Sequence, residues 1–570
     1  MLPVNRQTVD FSTVDTVIGS ARVMSDQVVR RRAEVSWAVI ARHPLAWGAV
    51  MAVGVLLRAL AAFPPFRGEL QSDSTMTGLT AFEILRGDLQ VFLFNGTRLG
   101  ALESYLHVPV FALFGASRGT LHVAPQIAGS ALLAAFAVLA RDLLGPEEGL
   151  AAFLLFALPS PVVLLWSILP IGYTETLFLC TASLACAVRI AQRGPETLPV
   201  FGLGLSAGLG WWGSALSLAG TLPAALWIVL HRPALMRRGR SAALAAAGFL
   251  LGALPWIAIN IRYPLLSFGR DMSSQQGNFQ FALAGGLEVL LANFHRFGQR
   301  LAALLLRADD PRPDVLFPLV LLAGALHAAA LVAAVLRVAR DRRSPLLLPL
   351  LVAGCTAAFF VLSAAGSLTG NTERYIVPIG LAAPLLLASL GARIARRSRA
   401  AALLGLLVLL TVHVSGYNLP GTAGRAEQRR LAKAEDRLLD LLRERRITWV
   451  FGDYWDVYGL NFLSGETIKA IPEDPRADYH GYERELGCAP ASFAVISRDP
   501  VWVAAWARRA GLRGETVRID GAFEIFFPVP DPPPPGALDV VARLRGLGGE
   551  DRCPPVRARI FPSASRAAPG

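Results

Sequence analysis

Long apolar runs separated by short polar connections dominate the pattern of the chain. A helical run of about 20 apolar residues is long enough to cross the hydrocarbon core of a bilayer. The pattern predicts about eleven such spans, at residues 44–63, 120–140, 149–167, 170–189, 198–213, 215–230, 241–261, 314–336, 345–366, 374–392 and 400–418. We therefore expect a mainly α, polytopic membrane protein with about eleven transmembrane helices.

The composition agrees with a chain that lies mostly in lipid. Of its 570 residues, 54% are hydrophobic and 17% are charged, and the mean hydropathy is +0.47. Soluble domains carry about 25% charged residues. Residues 1–43 are polar and contain three consecutive arginines, Arg30 to Arg32, before any apolar run. We expect them to be a cytoplasmic segment rather than a cleaved signal.

The net charge of +13 comes from arginines that cluster in every second connection between the apolar runs. This alternation is typical of the positive-inside rule, so we assign the arginine-rich connections to the cytoplasm and expect no nucleic-acid partner. The opposite, extracytoplasmic side then holds the long loops 64–119 and 262–313 and the tail from residue 420 onward. We expect a protein integral to the cell (inner) membrane, with its N-terminus cytoplasmic.

The tail has the pattern of a small soluble unit. A charged helix over 424–446 is followed by a strand, a helix and a strand, and further strands are predicted at 493–498 and 523–529. We therefore divide the chain into four parts: the N-terminal segment 1–43, a transmembrane domain over 44–419, an extracytoplasmic α/β domain over 420–530, and a Pro/Arg-rich tail over 531–570 that is expected to be disordered. Whether Cys488 and Cys553 pair is left open.

Ionisable and aromatic residues gather at the outer ends of the predicted spans. They are Asp73, Glu103, Tyr173, Glu175, Trp211, Trp212 and Arg374. A carboxylate in a membrane segment is costly, so Glu175 is expected to face a polar cavity or a cation. Structural alternatives remain open: Asp73 as the cap of a helix at 75–86, Glu103 as a surface charge, Arg374 as an anchor and Trp211 as an interfacial aromatic. The amphipathic stretches 77–86, 100–114 and 280–306 are expected to lie in the membrane interface.

The first of these loops carries a family resemblance. The segment "SDSTMTGLTAFEILRGDLQVFLFNGTRLGALESYLHVPVFALFG" (72–115) resembles the first extracytoplasmic loop of bacterial GT-C superfamily membrane glycosyltransferases. The similar groups are the dolichyl-phosphate-mannose protein mannosyltransferases and the aminoarabinose transferases. "GYTET" (172–176) and "ERYIVP" (373–378) also look like motifs of the family, and 452–466 resembles the start of the C-terminal domain in one bacterial branch. The resemblance runs from about residue 60 to 470.

The resemblance implies a GT-C-like fold and a glycosyltransferase that uses a polyprenyl-phosphate-linked sugar. It implies that Asp73 is the catalytic general base on an acceptor hydroxyl, with inversion at the anomeric carbon. The acceptor is an unidentified glycan, lipid or protein, and membrane lipid is a further partner. The substrate-binding residues that it suggests are Arg374, Arg98, Glu103, Glu175, Tyr173 and Trp211, with Arg262 as a further cation for the leaving phosphate.

Two departures from the family pattern bear on the substrate. The protein mannosyltransferases carry a paired Asp-Glu where this chain has Asp73 and Ser74, and Thr97 and Leu99 replace the Gln and Tyr of related sequences. No metal ligand and no cofactor are assigned, and a divalent metal is left open. The competing interpretations are a transporter or flippase of a lipid-linked sugar, which is disfavoured because no internal repeat is found, and a catalytically degenerate GT-C scaffold.

Overall fold

The computed structural model describes a defined part of the chain. It covers residues 37–63, 70, 72–93, 99–234, 239–264, 267, 286–306, 316–363, 372–417, 423–472, 493–509 and 511–528. The predictions for Arg98, Thr97, Cys488, Cys553 and the tail 531–570 lie outside the described residues.

Helices account for most of the described residues. Up to residue 115 they are α1 (Pro44–Ala62), α2 (Ser72–Leu85) and α3 (Leu102–Phe114). The following helices are α4 (Val123–Ala157), α5 (Pro161–Trp166), α6 (Tyr173–Arg193), α7 (Thr197–Gly213), α8 (Leu218–His231), α9 (Gly239–Gly252), α10 (Leu254–Arg262), α11 (Gly286–Leu306), α12 (Phe317–Arg340), α13 (Leu347–Leu362), α14 (Ile379–Arg397) and α15 (Arg399–Ser415). Short 3-10 helices lie at Thr120–His122, Ala215–Ser217 and Thr372–Ile376.

Each predicted membrane span contains at least one helix. Within the described residues, five helical segments are long and apolar enough to cross a membrane: α1, Thr120–Ala157, α6, α12 and α14. The pair α9 and α10 would add a sixth, with a bend of 69° between them. Several of the remaining helices are shorter than the ~20 residues that a perpendicular span needs. The mainly helical membrane fold is confirmed, while the count of about eleven spans stays a prediction.

Gly145 makes α4 fold back on itself. Its φ of 81° lies in the left-handed region, which glycine adopts without steric cost. The rings of Phe136 and Phe156, one on each side of this reversal, stack with their centroids 3.9 Å apart. The two spans predicted at 120–140 and 149–167 are therefore the two legs of one helical hairpin.

The break between α4 and α5 leaves main-chain carbonyls without helical partners in an apolar setting. Each carbonyl left unpaired there would cost about 2–7 kcal/mol. Three side chains remote in sequence bond to these carbonyls: Arg58 to that of Ala157, His413 to that of Leu158 and Tyr417 to that of Pro159. Arg58 is fully buried and also donates to the carbonyl of Gly54. Arg58, a charged residue inside α1, therefore has a structural role as a hydrogen-bond donor to these carbonyls.

Connections that the arginine pattern assigns to one side of the membrane come together at one end of the helices. Asp142 accepts a hydrogen bond from Arg189 Nε at 2.7 Å, and Arg232 Nε donates to the carbonyl of Ala191 at 2.8 Å. Both contacts lie at the C-terminal end of α6, whereas Tyr173 opens this helix at the other end. The grouping of the connections follows the alternation of arginines; which side is cytoplasmic stays a prediction.

The described residues between 423 and 528 form a charged helix and a mixed five-stranded sheet, together called the sheet unit. The elements are α16 (Ala423–Glu444), β1 (Trp449–Gly452), α17 (Tyr454–Leu463), β2 (Lys469–Pro472), β3 (Phe493–Ser497), α18 (Pro500–Arg509), β4 (Gly514–Ile519) and β5 (Phe523–Pro528). The order is β2-β1-β3-β5-β4; β1 runs parallel to both of its neighbours and β5 antiparallel to both of its own. The predicted strand–helix–strand unit and the two later strands are present. The edge strand β4 was not predicted, because most of its residues are exposed and polar.

One hydrophobic core joins this sheet to the first outer loop. Its buried members come from α2, α3, α16, α17 and the strands, and include Met76, Leu79, Phe111, Leu438, Val450, Phe462 and Ile525. The unit therefore packs directly on the helices that follow α1, and the two parts share their apolar interior.

Residues 74–84 of α2 are buried by protein apart from the half-buried Phe82, so the expectation that residues 77–86 lie with one face in the membrane interface is wrong for all but the exposed Leu85 and Arg86. Two polar side chains of α2 are satisfied locally: the hydroxyls of Thr75 and Thr80 donate to main-chain carbonyls three and four residues earlier. Helix α17 packs against the apolar residues of α2. A Cβ atom on Gly78 would lie 2.5 Å from Cε2 of Phe462, so only glycine permits this approach.

Gly78→Ala is expected to lower the apparent melting temperature of the detergent-purified protein. The new methyl group forces Phe462 from its buried position, and overpacking of this kind costs about 1–3 kcal/mol, more than the ~1 kcal/mol that alanine gains in helix propensity. The measurement is thermal unfolding followed by circular dichroism. Gly48→Ala in α1 is the control, since its Cβ would meet nothing within 4 Å; equal melting temperatures for the two variants would contradict the prediction.

Candidate active site

Asp73 lies in the first turn of α2, where the helix dipole favours a negative charge. Its Oδ1 accepts a hydrogen bond from the hydroxyl of Tyr454 at 2.5 Å, and its Oδ2 lies 3.6 Å from Nη1 of Arg374. The Asp73 and Arg374 side chains are 25% and 27% exposed, although the residues around Asp73 are mostly buried. The helix begins at Ser72, so Asp73 is not the cap of a helix at 75–86, and its carboxylate instead pairs with two side chains in a space that solvent reaches.

Arg374 is held by the residue that follows it. It lies in the 3-10 helix Thr372–Ile376, and its Nη2 donates to the hydroxyl of Tyr375 at 3.2 Å. The guanidinium carbon lies 5.0 Å from the centroid of the Tyr375 ring, within the range of a cation–π contact. An arginine is charged at any physiological pH, so a fixed positive charge stands beside Asp73.

A second ion pair holds this 3-10 helix in place. Glu373 is 9% exposed at its side chain and accepts a hydrogen bond from Nη1 of Arg300 in α11. Because Glu373 precedes Arg374, the pair fixes the main chain at the point where the site cation begins. The predicted amphipathic stretch at 280–306 is helical over Gly286–Leu306 and contacts the site region through this arginine.

Tyr173 opens α6 on the same side of the molecule. Its ring packs edge-on against Trp166 with the centroids 5.3 Å apart, and the residue is 8% exposed. Its hydroxyl interacts electrostatically with Arg374, Tyr375 and Asp73. The structure thus brings Tyr173, Asp73 and Arg374 together from three separate parts of the chain.

Behind Asp73, one helical turn further along α2, lies a buried polar cluster. The Thr77 hydroxyl donates to the carbonyl of Pro170 at 3.0 Å and lies 3.4 Å from Nε2 of His107. The same nitrogen lies 3.7 Å from Oε1 of Glu103. The other oxygen of Glu103 accepts a hydrogen bond from the main-chain N–H of Gly172. The cluster therefore joins α2 and α3 to the turn that precedes α6.

Glu175 belongs to the same buried region. Gly172 has a φ of 87°, and a Cβ atom there would lie 3.4 Å from Oε1 of Glu175. Glu103 and Glu175 are 1% and 4% exposed, so neither carboxyl reaches solvent. Among the described residues, no three His, Cys, Asp or Glu side chains are placed to hold a metal ion.

Among the other predicted site residues that the structure describes, Trp211 and Arg262 contact aromatic side chains elsewhere. Trp211 packs edge-on against Trp256 of α10 with the centroids 5.6 Å apart, and among the described residues it makes no hydrogen bond or ring contact with Asp73 or Arg374. Arg262 stacks on Tyr263 at 5.6 Å. Arg98 lies outside the described residues.

The structure adds Tyr454, His107 and Arg300 to the residues that the sequence suggested. His107 lies four residues after Glu103, a spacing that places both on one face of a helix and that a search for paired polar residues would have found. Tyr454 and Arg300 had no such signal, because each contacts a residue far away in the chain.

No protein-family model matches this chain, and no curated protein matches it in sequence. The fold does match solved structures. ArnT from Cupriavidus metallidurans in the apo state is 13% identical with a TM-score of 0.57, over 88% of this chain and all of that one. The same protein bound to undecaprenyl phosphate is 14% identical with a TM-score of 0.56, over 86% of this chain and 99% of that one. The Archaeoglobus fulgidus oligosaccharyltransferase is 13% identical with a TM-score of 0.49, over 80% and 69%.

The two ArnT structures show that this chain shares the fold of ArnT. The resemblance that the first loop indicates is confirmed at the level of the fold. At such low identity, activity and substrate have to be argued from the site itself.

Stability is expected to fall as the pH rises towards 8, because burial raises the pKa of the Glu103 carboxyl from 4.5 to about 8, against the smaller lowering effect of the Gly172 N–H. Between these values the folded protein binds more protons at this site than the unfolded chain, so stability decreases with pH by up to about 1.4 kcal/mol per pH unit. Glu103→Gln keeps an acceptor for Gly172 and cannot ionise. Melting temperatures of both proteins across this window test the point, and parallel slopes would refute it.

Proposed function

We propose that this chain is an integral membrane glycosyltransferase that moves a sugar from a polyprenyl-phosphate donor to an extracytoplasmic acceptor with inversion. The observation that carries the proposal is the pairing of a partly exposed carboxylate, Asp73, with a fixed guanidinium, Arg374, at 3.6 Å. General-base catalysis needs a carboxylate that the acceptor can reach, and leaving-group stabilisation needs a cation in the same site for the phosphate. The fold shared with ArnT supports the same class of reaction.

Asp73 acts as the general base in this proposal. The acceptor oxygen attacks the anomeric carbon from the face opposite the phosphate, and its proton passes to the Asp73 carboxylate. The bond between the anomeric carbon and the phosphate oxygen breaks, and the electron pair leaves with the polyprenyl phosphate. Attack from the opposite face inverts the anomeric configuration. The partial exposure of Asp73 supports this role, because the acceptor has to reach its carboxylate.

Arg374 binds the donor phosphate and stabilises the charge that develops on it. Charge-assisted hydrogen bonds from arginine to phosphate are among the stronger polar contacts in proteins. The stacking on Tyr375 and the ion pair of Glu373 fix this side chain before the donor binds. A preorganised cation needs no reorganisation at the moment of reaction.

Glu103 and Glu175 act as supporting residues in this proposal. The family resemblance implies that they bind substrate, whereas their burial favours a role in shaping the turn at Gly172 that carries Tyr173. Tyr173 remains the candidate for contact with the donor, since it lies in the field of Arg374. The reaction takes place on the side opposite the arginine-rich connections, which is the extracytoplasmic face of the inner membrane if those connections are cytoplasmic.

Asp73→Asn is expected to lower sugar transfer at least about 100-fold, because the amide cannot accept the acceptor's proton. The assay uses cell-envelope membranes that contain the protein and their own acceptors, adds a panel of undecaprenyl-phosphate-linked sugars, and follows the release of undecaprenyl phosphate. Asp88→Asn, in the same outer loop, is the matched control. Transfer by Asp73→Asn at near wild-type rate would sink the assignment. Movement of the lipid-linked sugar across the membrane without any transfer would favour the transporter.

Arg374→Ala is expected to raise the KM for the donor about tenfold or more, because one charge-assisted contact to phosphate is lost. Arg374→Lys keeps the charge without the forked geometry and should lie between the alanine variant and the wild type. Steady-state kinetics with varied donor measure the effect. An unchanged donor KM in the alanine variant would remove Arg374 from the phosphate site.

A further inference from the structure

The first turn of α17 lies directly against Asp73. Asp453 caps this helix, its carboxylate accepting the main-chain N–H of Trp455 at 2.9 Å, so that Tyr454 is the first helical residue. The Tyr454 hydroxyl donates to Asp73, and the Ser72 hydroxyl donates to the Tyr454 carbonyl. Two consecutive residues of α2 therefore bind both the side chain and the main chain of Tyr454.

The two helices remain in contact along their whole length. Past the Asp73 end, Phe462 packs against Gly78 and stacks on Phe82 with the ring centroids 5.5 Å apart and an interplanar angle of 8°. At the far end, Arg86 forms an ion pair with Glu466. The two helices run in the same direction and touch from first turn to last. The packing of the sheet unit on α2 therefore fixes the position of the first turn of α17 next to Asp73.

Tyr454 itself has little freedom to move. Its ring packs edge-on against Tyr458 and Trp455, with centroid distances of 5.6 Å and 4.9 Å. The hydroxyl thus presents a fixed donor to one oxygen of Asp73, while Arg374 faces the other oxygen. A carboxylate has about four lone-pair sites, so these two partners leave room for an acceptor hydroxyl.

We infer that Tyr454 is a positioning residue for Asp73, and that the C-terminal sheet unit completes the active site. The inference rests on the proposed function, in which Asp73 is the base. The hydrogen bond holds the carboxylate in one orientation towards the acceptor, and the parallel packing of α2 and α17 holds the donor of that bond. The base and the residue that orients it thus come from the first outer loop and from the sheet unit, which are separated by 381 positions.

Tyr454→Phe removes the hydroxyl and keeps the ring contacts. We expect kcat to fall about 10- to 100-fold, since a misplaced catalytic group costs a factor of that order, with the donor KM and the melting temperature unchanged. Glu466→Gln is the matched control: it loosens the far end of the same helix pair without touching Asp73 and should leave kcat at the wild-type value. Both variants are assayed in the same cell-envelope membranes with the donor that the wild type uses.

The outcomes separate the inference from the proposed function. Wild-type kcat in Tyr454→Phe, with transfer abolished in Asp73→Asn, would overturn the inference and leave the proposed function standing. Equal losses of kcat and melting temperature in Tyr454→Phe and Glu466→Gln would show that Tyr454 only contributes to packing. That result would also overturn the inference. Full activity in Asp73→Asn would contradict the proposed function itself, and the inference about Tyr454 would fail with it.

Discussion

The enclosure of α2 is the constraint on which the rest of the structure depends. The helix carries Asp73 at its start and is buried by α3, by Leu121 after it and by α17 of the sheet unit. A short helix with many serines and threonines is tolerated there because its hydroxyls bond to its own carbonyls. The close approach at Gly78 then places α17 where its first turn reaches the carboxylate. The geometry of the site is a consequence of this packing.

Two kinds of polar contact serve different purposes in the molecule. The pair of Asp73 and Arg374 is partly exposed, so it contributes little to stability and remains available to substrates. Glu103, His107 and Arg58 are buried, where removing a partner would leave a costly unpaired group. Glu103 and His107 tie α2 and α3 to the Gly172 turn, and Arg58 ties α1 to the break after α4. A rigid support around a partly open carboxylate is the arrangement that general-base chemistry needs.

A shared fold at 13–14% identity leaves much of the site free to vary. Ser74 stands where the protein mannosyltransferases have a second acid, so only one carboxylate emerges at the start of α2. In this chain the second contact to Asp73 is a tyrosine from the sheet unit instead. The contacts of this carboxylate can differ while the scaffold stays the same, which is why function has to be argued from the site.

Local chemistry along the chain was sufficient for the mainly helical membrane fold, the grouping of the arginine-rich connections, the strands at 493–498 and 523–529, and the choice of Asp73 and Arg374 as candidate site residues. Each depends on hydropathy, periodicity or a short motif, and these are properties of neighbouring residues. The burial of Glu103 and the bond from Tyr454 were not accessible in this way. Each depends on which distant surfaces pack together. Close packing between α2 and α17 selects a partner for Asp73 that no local pattern in the chain marks.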